Sequence, residues 1–407
     1  MSQQPMLSVD EALDRLLAAA RPLTEVETVA TEAALGRTLA QSQVSPIAVP
    51  PLDNSAMDGY AVRVSDLNTQ GDTRLPVSQR ILAGSVGVPL APKTAARIFT
   101  GAPIPPGADA VVMQEDTTAV EDGVTVHKAV TPGAHIRRAG EDIAPGATVL
   151  SAGTRLFPQH LGLAASVGLA QLPVVRRLRV ATFFTGDELV APGMPLEPGR
   201  IYNSNRYTIN GLATALGFEV VDLGTVRDDL AATMAVLARA AQCADVVITS
   251  GGVSVGEADF VKAAVERQGR LDMWRIAVKP GKPLAFGEVA GKPFIGLPGN
   301  PVSVFVTFCL FARPFLLRMQ GVQQVMPAAF WVEAAFDWPR PDRRREFLRA
   351  RLVRDEEPTT RVEIYPHQGS GVLTSTVWGD GLVDVPAAAP VRQGERVRFI
   401  PFAELMR

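Results

Sequence analysis

Two lysines three residues apart, Lys279 and Lys282, stand in the stretch VKPGKPLAFG that runs from Val278 to Gly287. The chain holds six lysines against 34 arginines, so lysine is not its default cation. Pro280, Gly281 and Pro283 surround the pair. Proline fixes φ and glycine permits turns closed to other residues, so the segment is preset rather than floppy. A compact ammonium on such a loop suits phosphate or another oxyanion. Two solvated lysines on a surface turn would look the same in isolation.

A second candidate is TSGGVSVGEADF, Thr249 to Phe260, between an apolar run and a helix-like run. Gly251, Gly252 and Ser254 would offer bare amides and a hydroxyl to an anion, and a helix N-terminus just beyond would add free N–H groups. A tight connector without a ligand is the plainer alternative. Carboxylates gather at comparable places. Asp187 and Glu188 follow one apolar run, Asp228 and Asp229 another, and Asp259 closes the glycine loop. One acid before a helix is usually a cap, a role that suits Asp229 and leaves Asp228 free. Three acid-bearing loops beside an anion loop make a plausible Mg²⁺ site, since this hard cation takes oxygen ligands and bridges phosphates. In GLPGNPVSVF, Asn300 as N-cap and Pro301 at the first helical position mark a helix start, with Pro298 and Gly299 in the turn. Two helix N-termini and two lysines facing carboxylates imply a polyanion carried with a divalent metal.

These loops need a scaffold. From about 178 to 320, strand-like runs (RVATFF, FEVVDLGTV, ADVVITS, then 271–278, 284–289 and 293–297) alternate with helical ones (NSNRYTINGLATALG, DDLAATMAVLARAAQ, EADFVKAAVERQG). That rhythm predicts a mostly parallel α/β sheet covered on both faces, with ligands at its carboxyl edge. Asn203 or Ser204 should cap the first helix and Gly217 should end it. Residues 46–140 read as a β-rich unit and residues 328–407 as a small β-domain. Segments 1–45 and 141–177 are helical in tone and could pack together. The expected division is therefore 1–45 plus 141–177, 46–140, 178–327 and 328–407.

Composition sets the outer bounds. With 407 residues, 47% hydrophobic and 20% charged, the chain is ordinary globular material for several domains. A net charge of −2 argues against nucleic acid as a partner, so any anion site must be local. Cys243 and Cys309 lie in apolar surroundings and read as buried thiols of a reducing compartment. The N-terminus lacks the pattern of a signal peptide. The apolar run Pro301–Leu317 is broken by Arg313 and Pro314 and reads as a buried helix, so no membrane is expected and the cytoplasm is the expected place.

The ordered set PPLDNSAMDGYAV, TGAPIPPGADAVVMQED, AGEDI, TGDEL, YNSN, TSGGVSVGEADF, KPGKP and GLPGNPVS resembles the molybdopterin molybdenumtransferase (MoeA) family, whose relatives include the C-terminal half of gephyrin. The likeness runs from about 7 to 400. It implies transfer of molybdenum from molybdate into adenylylated molybdopterin, with Mg²⁺, releasing AMP. It implies four domains, the last a β-barrel, in a homodimer whose cleft is shared between subunits, and a transient contact with a molybdopterin adenylyltransferase. By position it assigns Asp58, Thr100, Asp142, Glu188, Asp228, Asp259 and Lys279 to catalysis, with Glu188, Asp228 and Asp259 as metal ligands. Gly251, Gly252, Ser254, Lys282, Pro298–Pro301, Arg349 and Ser370 would hold substrate. Asp58–Gly59 by itself reads only as a hairpin turn, and most of RPDRRREFLRAR as a solvated strand face.

Two departures stand out. Arg275 occurs where the family often has lysine, and STVWGDGLVDVP replaces the usual C-terminal pattern, which brings in Trp378 and Asp380. Rival readings are a nucleotidyltransferase or pyrophosphate hydrolase built on the same α/β domain, and a non-catalytic scaffold. Stand-alone adenylyltransferases lack the flanking motifs, and nothing here resembles a scaffold fusion.

Overall fold

In the computed structural model, which describes residues 6–252, 260–353 and 360–407, the central segment forms a six-stranded sheet. Its order is Glu219–Val226, Arg179–Thr185, Val246–Ser250, Lys292–Leu297, Pro283–Val289 and Gly269–Arg275. The first four strands are parallel. The last two pairings are antiparallel, so the expected parallel sheet changes direction at its far side. The cause is a two-residue turn: Ala290 and Gly291 both take positive φ, which closes a hairpin where a parallel neighbour would need a long crossover.

Val246–Ser250 is buried at every position, which is why it reads as an unbroken apolar run. Alternate residues of Arg179–Thr185 feed two cores. Val180 and Phe184 join the core that contains helix Pro301–Met319. Ala181 and Phe183 join helices Leu230–Cys243 and Phe260–Gln268 on the other face. Helix Pro301–Met319 is long and apolar enough to cross a membrane, yet 89% of its apolar window is buried inside the fold. It makes a π turn at Phe308–Ala312, where Pro314 has no N–H to return to Leu310. Asn203 caps helix Ser204–Ala215 by accepting the Arg206 N–H at 3.1 Å, and Asp229 caps the next helix through Ala232 N–H at 2.8 Å. Gly217 follows with φ +83°.

The two segments that are helical in tone meet through strands instead. Val26–Ala30 pairs antiparallel with Gln171–Val175, and Gln43–Val44 with Thr148–Leu150. Leu39, Leu150, Leu156 and Leu172 form a small core there. Helix Val9–Ala19 stands apart from that core: Val9, Ala12 and Leu16 belong with Phe315 and Leu316 beside the central sheet.

Residues 46–140 hold a separate six-stranded sheet with cores of its own. Gly59 opens its strand Gly59–Val62, and a Cβ there would run into the Val112 carbonyl of the next strand. Asp58–Gly59 is therefore not a hairpin turn; the glycine serves a close backbone approach. In the C-terminal region Phe330–Ala334, Arg345–Leu352, Arg361–Ile364, Gly381–Val385 and Arg396–Pro401 close into a five-stranded barrel. Val278–Lys279, from the lysine loop, adds to the barrel alongside Arg345–Glu346. Cys309 is buried, its thiol pushed up to about 12 by burial, whereas Cys243 is only half-buried.

Candidate active site

Parallel strands that end in register release their loops side by side. Thr185 pairs with Val226, Phe184 with Ser250, and Ser250 with Leu297, so four loops leave one edge of the sheet together. The Gly251 N–H donates to the Leu297 carbonyl at 3.2 Å, and a side chain on Gly299 would touch the Gly251 Cα. Gly251 and Gly252 take φ of +84° and +62°, open to glycine at little cost. A Cβ on Gly252 would press within 2.6 Å of Val261 Cγ2. Asn205 ties the loops: its Nδ2 donates to Ser250 Oγ at 2.9 Å and to the Gly299 carbonyl at 2.7 Å. Sequence reasoning did not single out Asn205, although an amide in the first turn of a helix at this edge was the available signal. Ser254 and Asp259 lie outside the described residues.

The acids of the rim crowd one another. The Asp228 N–H donates to Asp187 Oδ1 at 3.4 Å. Burial raises the Asp228 carboxyl above the ordinary range, and the charges of Asp187 and Glu188 push in the same direction. The Glu188 carboxylate folds back over Gly186, 2.9 Å from where a Cβ would stand. Among the described residues none of these three acids is in an ion pair, and no group of three or more His, Cys, Asp or Glu side chains is placed to hold a metal. The donor set, all oxygen and uncompensated, has the chemistry of a hard divalent cation site that needs a further ligand.

The two lysines differ. Lys279 Nζ sits 2.9 Å from Glu346 Oε1 and 3.5 Å from Asp342 Oδ2. Lys282 is exposed and makes no ion pair among the described residues, so it is the available ammonium of the loop. Gly281, between them, has φ +110° and lies against Thr307, where a Cβ would collide with the methyl. Asn300 holds the N-cap backbone position of helix Pro301–Thr307, but its side chain makes no capping bond. The Val302 N–H donates instead to the carbonyl of Ser370, at 2.9 Å, so a barrel loop caps this helix.

Arg349 lies directly under that loop and is fully buried. Its Nε donates to Ser375 Oγ at 3.0 Å, and its terminal nitrogens to the carbonyls of Phe347 and Gly369 at 3.3 Å each. Burial pushes the guanidinium down to about 10. The arginine-rich stretch is partly a solvated face, with Arg340, Arg343 and Arg351 exposed and Arg349 turned inward, but several of its arginines are paired. Arg344 grips Asp342 at 3.0 and 2.9 Å, Arg345 grips Asp384 at 2.7 Å twice, and Arg351 pairs with Glu363 at 2.6 Å. Arg345, Arg349 and Arg351 alternate onto one face of the strand Arg345–Leu352, opposite the Leu348 and Ala350 that enter the barrel core, and partners from other strands reach two of them there.

In the β-rich unit, Asp58 and Thr100 come together. Asp58 Oδ1 accepts from the Thr100 N–H and Oγ–H, each at 2.8 Å, and this holds its carboxyl below the ordinary range. Asp142 is exposed, its N–H donating to the Val49 carbonyl at 3.0 Å. The departures are structural in character. Arg351 lies 4.4 Å over the Trp378 ring with Tyr365 edge-on at 5.3 Å, and Asp380 accepts the Leu352 N–H at 3.0 Å. Arg275 is half-buried, with its carbonyl taking the Leu7 N–H. A cavity of about 680 Å³ opens between Ser8–Asp10 and the barrel, lined by Trp331, Arg345 and Arg398 but by none of the rim loops.

Comparison with known proteins places this arrangement. Family models match in order: the MoeA N-terminal region (domain I and II) over residues 7–168, a probable molybdopterin binding domain over 181–318, and the MoeA C-terminal region (domain IV) over 332–402. The molybdopterin molybdenumtransferase of Haemophilus influenzae is 42% identical over 98% of this chain and 100% of its own length. Molybdopterin molybdenumtransferase 2 of Mycobacterium tuberculosis is 41% identical over 94% of this chain and 96% of its own. The crystal structure of the molybdopterin biosynthesis MoeA protein from Pyrococcus horikoshii OT3 superposes with a TM-score of 0.84 at 30% identity, covering 98% of this chain and 100% of that one. With relatives this similar along nearly its whole length, the chain belongs to the molybdopterin molybdenumtransferase (MoeA) family of enzymes.

Proposed function

We propose that this chain transfers molybdenum from molybdate into adenylylated molybdopterin, forming molybdenum cofactor and releasing AMP. One observation carries the reading: the glycine loop, the Pro298–Pro301 turn and exposed Lys282 share a sheet edge with acids that repel one another. Such an edge takes a phosphate on its amide and ammonium side and a divalent cation on its acid side.

Glu188, Asp228 and Asp259 would hold Mg²⁺, which when bound screens the pyrophosphate and draws charge from the α-phosphate. Lys279 and Lys282 would offset the negative charge that develops on the molybdopterin phosphate as its bond to the α-phosphorus breaks. Loss of one such preorganised donor typically costs about 10²–10³-fold in rate. Among the described residues no serine is hydrogen-bonded to a histidine, and Cys309 is buried and protonated. The attacking oxygen then comes from water, which yields AMP at once, or from molybdate, whose adenylyl-molybdate product water must cleave to release AMP. In a homodimer whose cleft is shared between subunits, Asp58, Thr100 and Asp142 of one copy would face the rim of the other. A cytoplasmic setting and hand-over of substrate from a molybdopterin adenylyltransferase fit the same reading.

The test mixes purified protein with adenylylated molybdopterin, Mg²⁺ and molybdate, then quantifies AMP and molybdenum-bound pterin. AMP release that requires molybdate is the expected result. Molybdate-independent AMP release would favour a hydrolase instead, and tight binding without AMP a carrier or scaffold.

A further inference from the structure

The lysine loop is anchored by a buried acid that no sequence motif singled out. Val278–Lys279 runs parallel to Arg345–Glu346, with Lys279 opposite Glu346. Glu346 is 1% exposed. Its Oε2 accepts from Trp338 Nε1 at 2.9 Å and from the Asp342 N–H at 2.7 Å, which fixes the plane of the carboxylate. Its Oε1 lies 2.9 Å from the Lys279 ammonium as an ion pair whose angle falls outside hydrogen-bond geometry. Asp342 adds a second oxygen at 3.5 Å from the same ammonium and is itself held by Arg344. The Lys279 side chain remains 38% exposed, so its charge is tethered on one side and open on the other.

A buried carboxylate is costly unless paired, and removing one partner leaves the other uncompensated. The bridge also spans two units of the fold. Lys279 belongs to the loop that enters the central sheet, and Glu346 to a barrel strand. Glu346 thus fixes where Lys279 stands relative to the rim. We infer that Glu346 is a positioning residue for Lys279, holding its ammonium at the seam between sheet and barrel where the anionic substrate meets it. This inference rests on the proposed function, in which Lys279 faces that substrate.

The experiment compares Lys279→Ala, Glu346→Gln, Glu346→Asp and Trp338→Phe in the full chain. Molybdate-dependent AMP release gives kcat and KM. Mass spectrometry after brief acetylation gives the labelling of Lys279 relative to Lys282, and Tm reports folding. Lys279→Ala tests the underlying reading alone; if it keeps full activity, that reading of Lys279 fails and the inference falls with it. With Lys279→Ala impaired, Glu346→Gln is expected to lower kcat about tenfold with KM changed less than about twofold. It should also raise Lys279 labelling several-fold against Lys282, and Glu346→Asp should restore part of kcat. A Glu346→Gln protein with wild-type Tm, kcat and labelling ratio would overturn the inference while leaving the function intact. If Glu346→Gln does not fold, Trp338→Phe decides, since it keeps the carboxylate and removes one of its fixing donors. A raised Lys279 labelling with lowered kcat then supports positioning, and unchanged values refute it.

Discussion

The sheet rim and the β-rich unit both present aspartates, and they treat them oppositely. At the rim, burial and two neighbouring acids make ionised Asp228 unwelcome. In the β-rich unit, two donors from Thr100 make ionised Asp58 welcome. An acid satisfied by its own chain is finished structure. One that its own chain leaves frustrated costs stability, a cost that the Mg²⁺ of the proposed function would relieve. The contrast separates an acid whose charge its own chain leaves uncompensated from one whose charge is already satisfied locally.

The largest expected effect is on the rim. Asp228→Asn should lower molybdate-dependent AMP release about 10²-fold or more, the usual scale for a group that acts on transition-state charge. Its Tm should stay level or rise, because a like charge has been removed. A large fall in Tm would place Asp228 with Asp58 and dissolve the distinction. Gly252→Ala comes next. Positive φ and the approach to Val261 should cost about 1–3 kcal/mol in urea unfolding, with activity falling alongside. An unchanged unfolding midpoint would mean the loop relaxes freely.

The third prediction concerns pH, and its sign differs between the two acids. The folded-state pKa of Asp58 is lowered from an ordinary 3.8, so its stabilisation is full above that value and is lost as pH falls through the folded one. Asp228 is raised from 3.8, so its penalty is absent below that value and complete only above the folded one. Asp58→Asn should therefore flatten the acid side of a Tm-against-pH curve below 3.8, and Asp228→Asn should flatten the stretch just above it in the opposite sense. Identical curves for the two variants would refute the contrast. Smallest of all, Thr100→Val keeps the backbone donor to Asp58 and loses only the hydroxyl. A Tm change of about 1–2 °C is expected by differential scanning fluorimetry, and a drop as large as that of Asp58→Asn would show that the hydroxyl dominates.

Local chemistry was the legible part. Asn203 and Asp229 cap helices as their residue types imply, Gly217 ends one, and the glycine pair after Val246–Ser250 takes positive φ. The buried strands announced themselves as apolar runs. What stayed hidden depends on residues far apart in the chain. Lys279 looks free until Glu346 is folded beside it. Asn300 looks like a cap until Ser370 takes over that task from another domain. The arginines of RPDRRREFLRAR look solvated until strands from elsewhere bring Asp384 and Glu363 to them. The first helix carries an ordinary amphipathic pattern, and nothing in that pattern says which core it will join. Family motifs supplied Asp58, which by itself reads only as a turn, and Thr100, which residue type alone does not single out.

The Val302–Ser370 bond has a temporal side. A chain made from its N-terminus completes the sheet, the glycine loop and helix Pro301–Met319 before the barrel strands exist. Until Ser370 arrives, the helix tip has a bare N–H and the lysine loop has no strand to run beside. Phe347, Leu382, Ile400 and Phe402 also complete the core that lies against the sheet, so a nascent or C-terminally truncated chain would leave both that core and the helix tip open.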